Sequence, residues 1–347
     1  MRKKIREFGI TIGRLPVGEK NCITDVEGVK VGHVTLDYPI DDQGTYACTG
    51  VTAILPHGGN LFKEKVTAAS YVLNGFGKTT GLVQINELGV IESPIMLTNT
   101  FGVPAVTQGT LEYMLEQNPE IGISTGTINI VVGECNDSYL NSIRACPVTP
   151  EHAIEAIQNA SDKVVEEGAV GAGKGMICFG YKGGIGSSSR IVTAENQSYA
   201  VGCLVLSNFG ESVEFRREQY IRNQRQEDST LKPTDGSIII ILATDAPLSS
   251  RQLLRVIKRC GIGLARTGSH YSHGSGDIVI GFTTAHKIPH FTDYITESRI
   301  QLREDHPIMN QLFIAAAETT EEAILNSLSQ AVTTTGRNGH VVHSFNW

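Results

Sequence analysis

Aromatic residues make up only 6% of the 347 residues and tryptophan occurs once, so the core must be filled by aliphatic side chains. The 40% apolar content is enough for that. No apolar run approaches the length of a membrane span. Met1-Arg2-Lys3-Lys4 has the charge of an export signal, but no apolar stretch follows it, and a cytoplasmic protein is expected. Positive charge is also scarce. A formal net charge of −7 argues against nucleic acid or an anionic membrane as a partner. Cysteine is present but unorganised. Cys22, Cys48, Cys135, Cys146, Cys178, Cys203 and Cys260 are odd in number and contain no C-x-x-C pair. They are expected to be reduced, mostly buried thiols. His270 and His273 are a close histidine pair, yet the loop around them lacks a helical metal-binding pattern, so neither a metal nor a cofactor is expected.

Two further motifs are missing. Gly168-Ala169-Val170-Gly171-Ala172-Gly173-Lys174-Gly175 approximates a phosphate-binding loop, but Gly175 stands where a hydroxyl should meet magnesium. A helical pattern precedes it where a strand should. Close backbone approach between layers is the expected use of the glycines from 168 to 186. No G-x-S-x-G elbow supports a Ser-His-Asp triad. Repeats, low-complexity tracts and linkers are absent too, and a single domain over 1–347 is expected.

What is present reads as many short strands with segregated helices. Alternation around a Gly turn predicts a hairpin over 20–35, and strands are expected at 51–56, 95–97, 129–133, 199–207, 276–284 and from 237 onward. Helices are expected at 67–73, 109–117 and 315–331. Another should start at Thr149-Pro150 and stop at Gly168. A further helix, capped by Ser249 or Ser250, should carry Leu253, Ile257, Cys260 and Leu264 on one face. This composition predicts an α+β layered domain with sheets stacked face to face.

The chain is organised around Thr234-Asp235-Gly236-Ser237-Ile238-Ile239-Ile240-Ile241-Leu242. A polar segment, 211–235, meets an aliphatic run that reads as a strand buried on both faces. Gly-Ser at such a junction has two readings. One is a turn leading into a core strand. The other is self-cleavage, in which the Ser237 hydroxyl attacks the unhindered Gly236 carbonyl and hydrolysis of the ester frees Ser237. Its α-amine, titrating near ~8, could then serve as base for its own hydroxyl. Self-cleavage requires oxyanion donors and orienting polar groups near the nucleophile. Asn208, Tyr139, Ser275 and Asp277 lie at strand ends where such groups belong. Each also has an ordinary reading: turn residue, packing ring or strand-start polar group.

An ordered set of segments carries a resemblance. It begins with Ile23-Thr24-Asp25-Val26, Val29-Lys30-Val31-Gly32-His33, Gly50 to Pro56 and Leu97-Thr98-Asn99-Thr100. It continues with Gly133-Glu134, Tyr139-Leu140-Asn141, Asn208-Phe209-Gly210 and Gly236-Ser237-Ile238-Ile239. It closes with Ala243 to Pro247, Gly263 to Gly268 and Gly274-Ser275-Gly276-Asp277. The set resembles the self-processing L-aminopeptidase/D-amidase-esterase family, which includes the β-peptidyl aminopeptidases and is of the N-terminal-nucleophile type.

The resemblance implies a four-layer αββα sandwich of N-terminal-nucleophile-hydrolase type, cleaved between Gly236 and Ser237 into chains 1–236 and 237–347. It implies an aminopeptidase acting on small peptides, amides or esters through an acyl-enzyme on Ser237. Asn208 and Tyr139 match its oxyanion positions, and Ser275 with Asp277 matches the pair beside the nucleophile. Some relatives carry Glu where this chain has Asp277, one methylene shorter. Leu248-Ser249-Ser250-Arg251-Gln252 departs from the Pro-His pair of many relatives, at a helix start away from the chemistry. A homotetramer of processed pairs is also implied. Two rival expectations remain: an acyltransferase of the ornithine-acetyltransferase type, which uses Thr, and an unprocessed binding protein.

Overall fold

The structure, a computed structural model, describes residues 2–221 and 236–347. The expected surface excursion of 211–235 therefore falls largely outside the described residues, as do Thr234 and Asp235.

Two sheets make the centre of the molecule. The smaller has the order β1-β2-β5-β6, built from β1 (Lys30–Pro39), β2 (Tyr46–Leu55), β5 (Ile95–Asn99) and β6 (Val131–Cys135). The larger has the order β4-β3-β12-β11-β10-β9. Its strands are β3 (Glu64–Gly75), β4 (Val90–Ile91), β9 (Gly184–Ala194), β10 (Gln197–Asn208), β11 (Ser237–Thr244) and β12 (Gly276–Pro289), with a short helix, α1 (Leu82–Leu88), linking β3 to β4. Between them in sequence lies a minimal hairpin, β7 (Ile177–Cys178) with β8 (Tyr181–Lys182).

Strand alternation sorts the layers. In β11, Ile239 and Ile241 point between the sheets, against Ile54 and Leu97 of the smaller one. Ile238, Ile240 and Leu242 point the other way, onto α4 (Ser250–Ile257), α5 (Cys260–Thr267) and α6 (Ile308–Ser329). The outer face of the smaller sheet, through Val51, Ala53 and Met96, is covered by α2 (Val103–Gln117) and α3 (Pro150–Gln158). Helices, sheet, sheet and helices stack in that order, so the expected αββα sandwich is present. β11 is apolar on both faces because both are covered.

The glycine-rich stretch works as a spacer. A Cβ on Gly186 would lie 1.9 Å from the Ala323 carbonyl, so α6 can seat on β9 only without one. Lys174 of the apparent phosphate loop instead pairs with Asp37 at 2.7 Å. Also between α6 and β9, Arg190 is fully buried and satisfied by Glu318 at 2.9 Å and Glu322 at 2.7 Å. Such pairing offsets the cost of burying the charge.

Four expected elements differ. Residues 67–73 form part of β3 rather than a helix. Val66 and Ala68 face one core and Ala69 the other, and pairing with β12 and β4 decides what local pattern cannot. The helix begun at Pro150 ends at Gln158, because Ser161 turns extended to exchange backbone hydrogen bonds with Val31, at 2.9 and 3.0 Å. Val164 is left 60% exposed. The helix after Ser249 is two, α4 and α5, though Leu253, Ile257, Cys260 and Leu264 all reach one core. Ser249 is its cap: its hydroxyl accepts from the Gln252 N–H at 3.3 Å, and Gln252 accepts in return at 3.0 Å. Of the hairpin at 20–35, only β1 forms; Ile23–Asp25 is a 3₁₀ turn. Six cysteines are buried and Cys146 is exposed, all unpaired, as their spacing predicts.

Candidate active site

The site is built from strand ends. β10 finishes at Asn208 exactly where β11 starts; Asn208 pairs with Ser237, and Ser237 pairs with Gly276 at the start of β12. Alternation turns Ser237 to the same side as Ile239, between the sheets, and Asn208 to the same side as Leu204 and Leu206.

Ser237 is 6% exposed. Its Oγ donates to the Gly236 carbonyl at 2.6 Å and accepts from the Gly276 N–H at 3.3 Å. The same N–H lies 3.2 Å from the Gly236 carbonyl oxygen. One backbone donor therefore bridges the hydroxyl and the carbonyl it would attack. Gly236 has little room for a side chain: a Cβ there would sit 3.2 Å from the Phe209 Cα.

Asn208 is buried and held at both ends. Its Oδ1 accepts from the Ile177 N–H at 2.8 Å, and its Nδ2 donates to the Asn136 carbonyl at 2.9 Å. A donor on one atom and an acceptor on the other fix the amide orientation and leave an Nδ2 hydrogen for another partner. Ser275 donates to Asp277 Oδ1 at 2.7 Å. Asp277 is fully buried and its Oδ2 has no partner among the described residues. Burial pushes its carboxyl up to about 6, against the pull of the Ser275 hydroxyl. Asn74 clamps the turn before β12, donating to the Ser272 and His273 carbonyls at 3.1 and 3.2 Å and to that of Ser275.

A cavity of about 390 Å³ opens over Ser237, lined also by Phe76, Lys78, Thr100, Glu134 and Arg144. Glu134 is 3% exposed. It accepts from the Lys78 N–H at 2.8 Å and from the Thr100 hydroxyl, and carries no cation among the described residues. The sequence reading placed Glu134 in a motif without assigning it a role, and it missed the Gly276 N–H altogether. A carboxylate ending a buried strand was the available signal for the first; a backbone donor leaves none. Ser237, Asn208, Ser275 and Asp277 come together around Gly276. Tyr139 is set apart. The residue is 36% exposed and its ring stacks on His340 at 4.6 Å, while its neighbours Asn136 and Ser138 line the cavity.

A serine opening the central strand of an αββα sandwich is the arrangement of an N-terminal-nucleophile hydrolase fold, and comparisons agree. The Ochrobactrum anthropi L-aminopeptidase D-Ala-esterase/amidase, described as a variant of that fold, superposes with a TM-score of 0.88 at 30% identity, covering 99% of this chain and 95% of that one. The PH0078 protein of Pyrococcus horikoshii OT3 superposes with a TM-score of 0.90 at 48% identity, over 99% and 96% of the two chains. The β-peptidyl aminopeptidase BapA of Sphingosinicella microcystinivorans is 37% identical over 98% of this chain and 88% of its own. Peptidase family S58 matches residues 21–342, and the chain belongs to that family.

Proposed function

We propose that the chain is the single-domain precursor of an aminopeptidase that cleaves itself between Gly236 and Ser237, and that the freed Ser237 is its nucleophile. The carrying observation is the Ser237 Oγ at 2.6 Å from the carbonyl oxygen of its own scissile peptide, with the Gly276 N–H on both atoms. In maturation the Oγ attacks the Gly236 carbonyl carbon, the hydroxyl proton leaves, and the Gly276 N–H stabilises the oxyanion. The C–N bond breaks as the Ser237 nitrogen is protonated. Water then hydrolyses the ester, giving a Gly236 carboxylate and a free Ser237 amine.

In turnover that amine takes the Oγ proton while Oγ attacks the substrate carbonyl. The ammonium protonates the departing amine, and water releases the acyl group. Asn208, through its remaining Nδ2 hydrogen, and Tyr139, whose neighbours Asn136 and Ser138 line the cavity, are the side-chain oxyanion donors in this reading. Ser275 and Asp277 orient the Ser237 hydroxyl and amine. Glu134, buried without a cation, is suited to the substrate ammonium. Substrates are short peptides, amides or esters with a free amine. Unpaired thiols support a reducing, cytoplasmic setting. Assembly as a homotetramer of heterodimers belongs to the same reading, with Phe291, Tyr294, Ile295 and Ile300 as exposed apolar surface for it.

A denaturing gel with N-terminal sequencing tests the proposal. Purified active protein should give chains 1–236 and 237–347, the second beginning Ser-Ile-Ile-Ile, and Ser237→Ala should stay intact and inactive. Full activity from an intact chain would remove the mechanism.

A further inference from the structure

Lys182 is fully buried and makes no ion pair among the described residues, an expensive place for an ammonium group. Its Nζ donates instead to three backbone carbonyls: Gly173 at 2.9 Å, Met176 at 2.6 Å and Gly183 at 2.8 Å. Three donors meet three acceptors, so the head group is fully satisfied. Burial still pulls its pKa down to about 7. The backbone of Lys182 is anchored as well, its N–H donating to the His343 carbonyl at 2.8 Å.

The Met176 carbonyl is one half of a peptide group whose other half is the Ile177 N–H. That N–H donates to Asn208 Oδ1 at 2.8 Å. A peptide is planar and trans, with its C=O and N–H pointing in opposite directions, so fixing one fixes the other. Lys182 thus holds the Met176–Ile177 peptide from one side while Asn208 is held from the other. The Gly183 N–H adds a weaker bond to the same carbonyl at 3.1 Å. When protonated, Lys182 also polarises the Met176 carbonyl, which strengthens the Ile177 N–H as a donor along the same chain of bonds.

We propose that Lys182 is a positioning residue for Asn208: through the Met176–Ile177 peptide it keeps the Asn208 amide turned so that Nδ2, and not Oδ1, faces the oxyanion. The inference rests on the reading of Asn208 as an oxyanion donor. A flipped amide would present an oxygen to a developing negative charge, so loss of the brace should lower turnover and leave substrate binding nearly unchanged.

The test is a double-mutant cycle on full-length protein, with kinetics normalised to the processed fraction. Lys182→Met keeps the side-chain length and removes the donors. It should lower kcat on the order of tenfold or more, the worth of one charge-assisted hydrogen bond, with KM changed less than about twofold. Asn208→Ala should lower kcat on the order of 10²–10³. The double variant should match Asn208→Ala alone, because a brace with nothing to hold has no further effect. Multiplying losses, or an unaffected Lys182→Met, would overturn the inference while leaving Asn208 in place. An unaffected Asn208→Ala would instead overturn the reading beneath it. Where a variant does not mature, the rate at which chain 237–347 appears is the readout of the same cycle. If Lys182→Met fails to fold, Lys182→Gln, which keeps two donors, replaces it. Failure of both to fold would overturn the proposal, assigning the lysine to the fold and not to the amide.

Discussion

Replacing Asp277 by Asn should make the protein more stable and less active at once. The carboxyl is fully buried, has among the described residues one partner on Oδ1 and none on Oδ2, and is pushed by burial up to about 6 from 3.8. Each pKa unit is worth about 1.4 kcal/mol, so an ionised Asp277 costs the fold on the order of 2–3 kcal/mol. The sign follows from proton binding. Between 3.8 and about 6 the folded chain holds this proton and the unfolded chain does not, so stability falls as pH rises through that window and stays low above it. Asn cannot ionise and keeps an oxygen for the Ser275 hydroxyl. Its amide is left without an acceptor, which takes back about 1 kcal/mol or more. The net gain should be about 1–2 kcal/mol at pH 8 and should fade toward pH 4. Maturation would confuse the comparison, so both chains carry Ser237→Ala, and denaturant unfolding is measured at pH 8 and pH 4.5. Equal midpoints at pH 8, or a gain of the same size at both pH values, would refute the reasoning. With Ser237 restored, Asp277→Asn should process slowly and turn over slowly.

Asn208→Ala should lower kcat on the order of 10²–10³ and change KM little; a loss confined to KM would make Asn208 a binding residue. Tyr139→Phe should lower kcat if the phenol donates to the oxyanion, as proposed. An unchanged kcat in processed enzyme would leave Tyr139 as the ring that stacks on His340. Glu134→Gln should raise KM for substrates with a free amine on the order of tenfold, the loss of one charge-assisted hydrogen bond. The same KM rise for an N-acylated substrate would argue against an ammonium site.

The layered fold was legible because its central strands are unambiguous. The run from Ile238 to Leu242 is too short for a helix and too apolar for an edge, and β10 and β12 have the same character. Ser237 was legible as the candidate nucleophile because it begins that run. Elements without such a pattern were not. Val66 to Tyr71 has apolar residues on both faces, so helix and strand look alike until β12 pairs with it. The helix at Pro150 has a visible start, but its end is set by a bond to Val31, 130 positions away in register and invisible locally. Asn208, Ser275 and Asp277 could be placed at strand ends from sequence, but their convergence depends on the pairing Asn208–Ser237–Gly276. The role of Lys182 was hidden more deeply, since it acts on a backbone carbonyl, and every residue has one.

That pairing also ties the two reactions together. In the intact chain the Gly236 carbonyl stands beside Ser237 Oγ and the Gly276 N–H, the place that the proposed self-cleavage would free for a substrate carbonyl. On the proposed mechanism, any group that stabilises the oxyanion in turnover meets an equivalent oxyanion once before, in maturation. Substitutions at Asn208 should slow both steps, in the same rank order as their chemical severity. Glu134 belongs to a different category. The precursor offers it no free amine at position 236, since Gly236 is there an interior residue of the chain. Glu134→Gln should consequently mature at a near-normal rate while binding substrate poorly. A variant series in which maturation and turnover separate for Asn208, or fall together for Glu134, would contradict the common-oxyanion argument.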